Sequence, residues 1–317
     1  MSTILLTGGT GTIGEALSAA LVKRGYEVII LTRNPAGRPL QEHIRYAAWD
    51  INKQQIDLPA LQQADHIIHL AGAGVMEHRW TAAYRKEIQE SRTKSSQLIF
   101  DTLRNHSHAV KTFVSASAIG WYGSDKPDPK SKALHWFTEE EESDPGFLGE
   151  TCRLWEESVA PAKALGIRLV KFRIGIVLSN SGGALAEFKK PVGMGIAAIL
   201  GSGKQVVSWI HIEDLCRLFI EGFINKDFDG PYNAVAPEPV TNKTLTLDLA
   251  KALRGRFFIP MHVPAFVLKL FLGQKSLEIL KSTTVSCGKI KERGFTFLYP
   301  TIEAALVQLI RKEEKTK

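Results

Sequence analysis

Apolar positions in the first half of the chain follow two alternating rhythms. STILLTG, YEVIILTR, RYAAWD, DHIIHLAG, VKTFVSASAIG and IRLVKFRIG are short apolar runs without the polar alternation of a one-sided sheet. Between them, GEALSAALVKRG, RWTAAYRKEIQESRTKSSQLIFDTLRN and PGFLGETCRLWEESVAPAKALG carry helical spacing. Strands buried on both faces and separated by helices predict α/β architecture, a Rossmann-type doubly wound parallel sheet. Its ligands are expected at the carboxyl ends of the strands.

Past residue 175 the rhythm changes. SNSGGALAEF and GMGIAAILGSGK are glycine-rich and irregular, whereas QVVSWIHIEDLCRLFIEGF reads as a strand leading into a helix that rejoins the sheet. From 231 onward short helices follow one another: TNKTLTLDLAKALRG, VPAFVLKLFLG, KIKERG and TIEAALVQLI. The expected organisation is a Rossmann domain over 1–175, rejoined by 205–230. A small, mostly helical substrate lobe takes 176–204 and 231–312, and 313–317 form a disordered tail.

Charge and cysteines narrow the partners. Forty Lys and Arg against 33 Asp and Glu leave +7, but the bases stand beside acids, as in KEIQESRTK, IKERG and RKEEKTK. That scatter argues against nucleic acid and suits a basic pocket for a phosphorylated small molecule. Cys152, Cys216 and Cys287 show no CxxC spacing, so neither a zinc site nor a disulfide framework is expected, and a reducing, cytoplasmic location is. No apolar run reaches the ~18 residues of a membrane span. Even VPAFVLKLFLG carries Lys269, and no membrane partner is expected.

TGGTGTIG, residues 7 to 14, follows a strand and opens a helix, the setting of a phosphate-binding loop. Glycines there let the chain turn sharply and approach a pyrophosphate, and the helix N-terminus adds N–H donors. Gly8, Thr10, Gly11, Thr12, Ile13 and Gly14 are the expected cofactor contacts. At the end of the second strand an NAD site carries an acid for the ribose 2′-hydroxyl. Here the chain has Arg33, which pairs with a 2′-phosphate; NADP(H) is therefore expected ahead of NAD(H). Asp50, ending the third strand, can accept from an adenine amino group. Leu70, Ala71 and Gly72, in HLAGAG, bring small residues toward pyrophosphate and ribose.

These segments resemble the extended short-chain dehydrogenase/reductase superfamily, and more closely its atypical epimerase branch. That branch is labelled SulA-like cell-division inhibitor or nucleoside-diphosphate-sugar epimerase. The resemblance rests on TGGTGTIG, HLAGAG, the run from Trp80 to Arg92, SASAIGWYG, FLGETCRLWE, RIGIVLSNSGGAL, SWIHIEDL and ERGFTFLYPTIEAAL, and spans nearly the whole chain. The resemblance implies a Ser or Thr that polarises a carbonyl, a Tyr that moves a proton, and a Lys four residues later. Ser117 fills the first role. Leu148 and Cys152 stand where the Tyr and Lys would be.

A substitute proton donor is sought nearby. Tyr122 is the first candidate; its other reading is an aromatic packed over the cofactor or lining the pocket. Trp121, Cys152, Trp209 and His211 are expected at the substrate pocket. Cys152 also reads as a buried small residue, and His211 as a loop stabiliser beside Asp214. Arg92, Lys94 and Arg173 read as anion contacts or as structural cations, and Gln274 stands where the branch often has Glu. Two functions fit. One is an NADP(H)-dependent oxidoreductase or epimerase acting on a small polar metabolite, a nucleotide-linked one among the candidates. The other is a non-catalytic NADP(H) sensor linked to cell division. Extended members commonly pair through two long helices, here 80–104 and 146–165.

Overall fold

The computed structural model describes residues 2–126 and 135–314, without the side chains of 312–314. Its centre is a sheet built from β1 (Thr3–Thr7), β2 (Glu27–Thr32), β3 (Ile44–Asp50), β4 (Gln55–Ile56), β5 (His66–His69), β6 (Thr112–Ala118) and β7 (Arg168–Ile174). The helices between them are α1 (Thr12–Lys23), α2 (Leu58–Gln62), α3 (Ala82–Asn105), α4 (Phe147–Ser158) and α5 (Pro161–Ala164). The segment expected as one helix after β6 is therefore two, broken just before Pro161, which lacks an N–H donor.

The remaining elements are β8 (Ile176–Leu178), α6 (Ala184–Gly193), β9 (Ile196–Leu200), β10 (Val206–Val207), β11 (Trp209–His211), α7 (Ile212–Ile224), β12 (Gly230–Ala234), β13 (Val240–Thr241) and α8 (Asn242–Arg254). They end with β14 (Ile259–Val263), α9 (Ala265–Leu272), α10 (Lys275–Leu280), α11 (Gly288–Glu292) and α12 (Ile302–Glu314). Helix α12 extends into the tail expected from 313, and 315–317 lie outside the described residues.

The main sheet runs β12-β7-β6-β5-β1-β2-β3-β4, and every pairing in it is parallel except β3 with β4. Two apolar layers cover its faces. Leu6, Ile30, Val114 and Phe172 meet α1 and α7 on one side; Leu5, Ile67 and Phe113 meet the α3 side on the other. That two-sided burial is what the uninterrupted apolar runs required.

The return to the sheet differs from the expectation. Helix α7 packs on α1, but the strand that joins is β12, against β7, while β11 pairs with β8 in a separate ribbon. The glycine-rich stretch also contains β9, paired in parallel with β14. The chain end is then tied back to α7. Asp214 is fully buried, accepts from the backbone N–H groups of Leu298 (2.8 Å) and Tyr299 (2.9 Å), and pairs with Arg217 at 3.0 Å.

Candidate functional site

The turn after β1 is shaped by contacts that leave no room for side chains. Gly8 has φ +69°, and a Cβ there would lie 2.9 Å from the Leu70 carbonyl carbon. A Cβ on Gly14 would come within 2.2 Å of the Gly8 oxygen. Gly11 is different: its nearest neighbour would be 3.5 Å away, so its outer side is open. Gly11 caps α1 without any side-chain hydrogen bond, and the N–H groups of Thr12, Ile13 and Gly14 begin the helix behind it. Such an end attracts an anion. The turn at 179–183 reaches over the same place, since a Cβ on Gly182 would lie 3.3 Å from Thr12 Oγ1.

The other expected cofactor residues gather around that loop, several of them already engaged. Arg33 is exposed just past β2. Asp50 ends β3, and its Oδ1 accepts from the N–H groups of Asn52 (2.9 Å) and Lys53 (3.1 Å). The amides of Leu70 and Ala71 donate to Thr7 Oγ1 at 3.1 and 3.2 Å. Arg92 lies beneath the loop. It is buried under Gly72, gives Nη1 to the carbonyls of Ala73 (3.1 Å) and Ile88 (2.8 Å), and stacks 4.8 Å over Trp155. These contacts make it a support for HLAGAG, where the sequence allowed either an anion contact or a structural cation.

A buried histidine completes that support. Thr7 Oγ1 accepts from two amides, so its proton goes to His69 Nδ1 at 2.8 Å. Nε2 then carries the ring's hydrogen, 3.2 Å from both Ser95 and Ser96, whose hydroxyls donate to the Arg92 carbonyl. Burial, with the Arg92 charge adding to it, pushes His69 down to about 3. The folded protein therefore binds fewer protons than the unfolded chain below pH ~6.5, and acid favours unfolding. Lowering pH from 7 to 5 should remove about 2 kcal/mol through this residue. Urea titrations at both pH values measure it, and His69→Gln should flatten the change.

At the carboxyl ends of β6, β7 and β12, Ser117, Arg173 and Asn233 stand side by side in register. They anchor a buried polar cluster. Ser117 Oγ donates to Glu156 Oε1 of α4 at 2.9 Å, and Glu156 meets Arg173 at 2.8 Å and Lys171 at 2.9 Å. Burial opposes the charge on Glu156, but Arg173 and Lys171 outweigh it and hold the carboxylate below its ordinary range. Tyr122 donates to Asn233 Oδ1 at 2.6 Å, accepts from Arg173 Nη1 at 2.9 Å, and stacks on Phe137. Glu139 Oε1 accepts from the Asn233 amide at 2.7 Å.

This cluster revises the expected chemistry. Tyr122 is 2% exposed and burial raises its phenol, so it is a core group and not a proton donor at the rim. Ser117 is 2% exposed with its proton committed to Glu156. Trp121 is partly buried, with Nε1 on the Glu141 carbonyl and Arg173 3.7 Å above its ring. Cys152 is buried, its thiol pushed up to about 12, and it packs with Leu148 against Gly120.

Trp209 and His211, expected at the substrate pocket, are both buried. Trp209 is fully buried in the lobe's core with Nε1 on the Glu238 carbonyl. His211 Nδ1 accepts from the Glu213 amide at the start of α7, Nε2 meets Gln308, and its ring lies 3.9 Å from that of Tyr299. His211 thus caps the start of α7, while Asp214 turns to Leu298, Tyr299 and Arg217. Glu156 is not among the residues expected from the sequence, although one signal points to it: it is the polar member of the stripe Cys152, Trp155, Glu156, Val159.

A groove of ≈ 480 Å³ opens between the start of α3, the start of α4 and the lobe. Trp80, Arg85, Phe147 and Gln274 line it. Arg85 lies 4.9 Å over Phe147 and 5.8 Å over Trp80, and donates to Gln274. Phe147 precedes Leu148, so the groove borders the position where the resemblance places the reaction. Among the described residues no group of His, Cys, Asp or Glu could hold a metal.

Fold and loop together define a dinucleotide-binding protein with the Rossmann-type fold of the short-chain dehydrogenases/reductases. Residues 4–142 match the NAD dependent epimerase/dehydratase family, and 263–309 match a domain of unknown function, DUF1731. Epimerase family protein SAR0825 of Staphylococcus aureus strain MRSA252 is 34% identical over 313 residues, covering 98% of this chain and 100% of the relative. The chain belongs to the epimerase family. Human epimerase family protein SDR39U1 (isoform 2), crystallised with NADPH, superposes with a TM-score of 0.83 at 26% identity, over 98% of this chain and 99% of that one. A nucleoside-diphosphate sugar epimerase of Corynebacterium glutamicum gives 0.74 at 30% identity, over 99% of this chain and 61% of that one.

Proposed function

We propose that this chain binds NADP(H) and acts as an oxidoreductase or epimerase on a small polar, nucleotide-linked metabolite. The observation that carries the reading is the open side of Gly11 at an α1 N-terminus without a side-chain cap, with Arg33 exposed at the end of the neighbouring strand. Gly8, Gly11 and the first amides of α1 would hold the pyrophosphate, and Arg33 the 2′-phosphate. The NADPH bound to the human relative supports the same choice. When bound, the cofactor supplies hydride chemistry. The chain's own part is to hold the metabolite in the groove of Trp80, Arg85, Phe147 and Gln274, beside Leu148. With Leu148 and Cys152 in the Tyr and Lys positions, Ser117 reaches a carbonyl only by releasing Glu156.

Calorimetric titration of the purified protein with NADPH and with NADH tests the cofactor. NADPH should bind at least ~10-fold more tightly, and Arg33→Ala should erase the preference, as expected for one charge-assisted phosphate contact of ~1.5–3 kcal/mol. Equal affinities in the parent protein would refute it.

A second reading, a non-catalytic NADP(H) sensor, is favoured by one observation: the hydroxyls of Ser117 and Tyr122 are both buried and engaged. NADPH oxidation with any metabolite, lost in Ser117→Ala, would decide for the enzyme.

A further inference from the structure

Seven of the fifteen large apolar side chains exposed among the described residues fall between Phe257 and Leu277. Phe257 (84%), Ile259 (71%) and Met261 stand on or just before β14. Phe266 (71%) and Leu270 share a face of α9 with Phe271 (74%) beside them, and Leu277 follows on α10. Consecutive elements joined at Pro264 thus present aromatic and aliphatic groups to solvent, well beyond the scattered exposure of an ordinary surface.

The charge around them is one-sided. From Leu249 to Leu277 the chain contains no Asp or Glu, while Lys251, Arg254, Arg256 and Lys269 are exposed. The chain-wide mixing of bases with acids conceals this local excess. It bears on what covers the face. A second copy placed here would set base against base, with no acid of the same segment to meet them. Strand pairing is hindered as well. Ile259 gives its N–H to Gly195 on the β9 side, so the outward edge belongs to Pro260, which has no N–H, and to His262. Nor do α3 and α4, the expected pairing helices, carry any of the exposed large apolar side chains.

An apolar interior beneath a negatively charged surface matches both properties. We propose that this face of the lobe docks on an anionic lipid bilayer. Phe266, Leu270 and Phe271 enter the headgroup boundary, and Arg256 and Lys269 meet lipid phosphates. The attachment is peripheral, since among the described residues no helix is long and apolar enough to cross a membrane.

The test is sedimentation of the full chain with vesicles. One set is phosphatidylcholine alone; the other is phosphatidylcholine mixed equally with phosphatidylglycerol. Binding should appear with the mixed vesicles, weaken with added salt, and be near absent with phosphatidylcholine. Lys269→Glu and Arg256→Glu should each weaken it by at least ~5-fold. Phe266→Ser with Phe271→Ser should weaken it by at least ~10-fold. These side chains are exposed, so melting temperature and NADPH affinity should not move. No binding to mixed vesicles, or equal binding by parent and variants, overturns the proposal. So does a concentration-dependent dimer in light scattering that the double Phe variant abolishes, which would give the face to a second copy.

Discussion

Gly14→Ala should lower NADPH affinity by ~100-fold or more in calorimetry. The new methyl would sit 2.2 Å from the Gly8 oxygen and 2.5 Å from the Gly9 Cα. Both contacts are with backbone, so no side-chain rotation relieves them, and the turn must open. Opening it moves the amides that face the pyrophosphate, which act only when aimed together. Gly11→Ala separates this effect from general misfolding. Its methyl meets nothing nearer than 3.5 Å, so the melting temperature should hold while affinity still falls, because the methyl occupies the ligand's side of the loop. Full affinity in both variants would place the dinucleotide elsewhere.

Glu156→Ala should destabilise the fold by about 3–5 kcal/mol, the usual consequence of stranding a buried ionic partner. Arg173, 3% exposed, would lose its counter-charge, and Ser117 its acceptor. Lys171, less deeply placed, can turn toward water, which keeps the effect from growing further. Glu156→Gln keeps the shape and should cost less. The pH dependence has a definite direction. A carboxylate held low in the folded state stabilises it above the unfolded-state pKa near 4.3, and that contribution disappears as pH falls through the folded value. The Ala variant should therefore lose less stability on acidification than the parent. Urea unfolding at neutral pH and at pH ~4 measures both effects.

What could be read in the sequence followed from how local the cause was. β1, β2, β5, β6 and β7 announce themselves because burial on both faces demands unbroken apolar runs. β12 does not: GPYNA opens with glycine and proline, which a sheet accepts at its margin. β14, IPMHV, lies outside the core, and although Ile259, Met261 and Val263 alternate with Pro260 and His262, the proline within the run argues against a strand. The glycine loop was legible because its steric demands lie within a few residues. Ser117 lies near the end of β6 and Tyr122 four residues past it, but their burial depends on Arg173 and Asn233, brought alongside only by strand pairing. Trp209 and His211 looked like pocket residues because the segments that cover them, around Glu238 and Tyr299, come much later in the chain.

Asp214 has a consequence for how the molecule is made. Its carboxylate sits at the start of α7, a helix resting on the sheet, yet two of its hydrogen bonds come from the backbone of Leu298 and Tyr299. Synthesis proceeds from the N-terminus, so a long interval separates the appearance of this acid from that of the amides that satisfy it. Throughout that interval the carboxylate has Arg217 and water in place of those two amides. The nucleotide-binding half can thus be fully spelled out at the ribosome while the start of α7 still lacks two hydrogen bonds that arrive only with Leu298 and Tyr299.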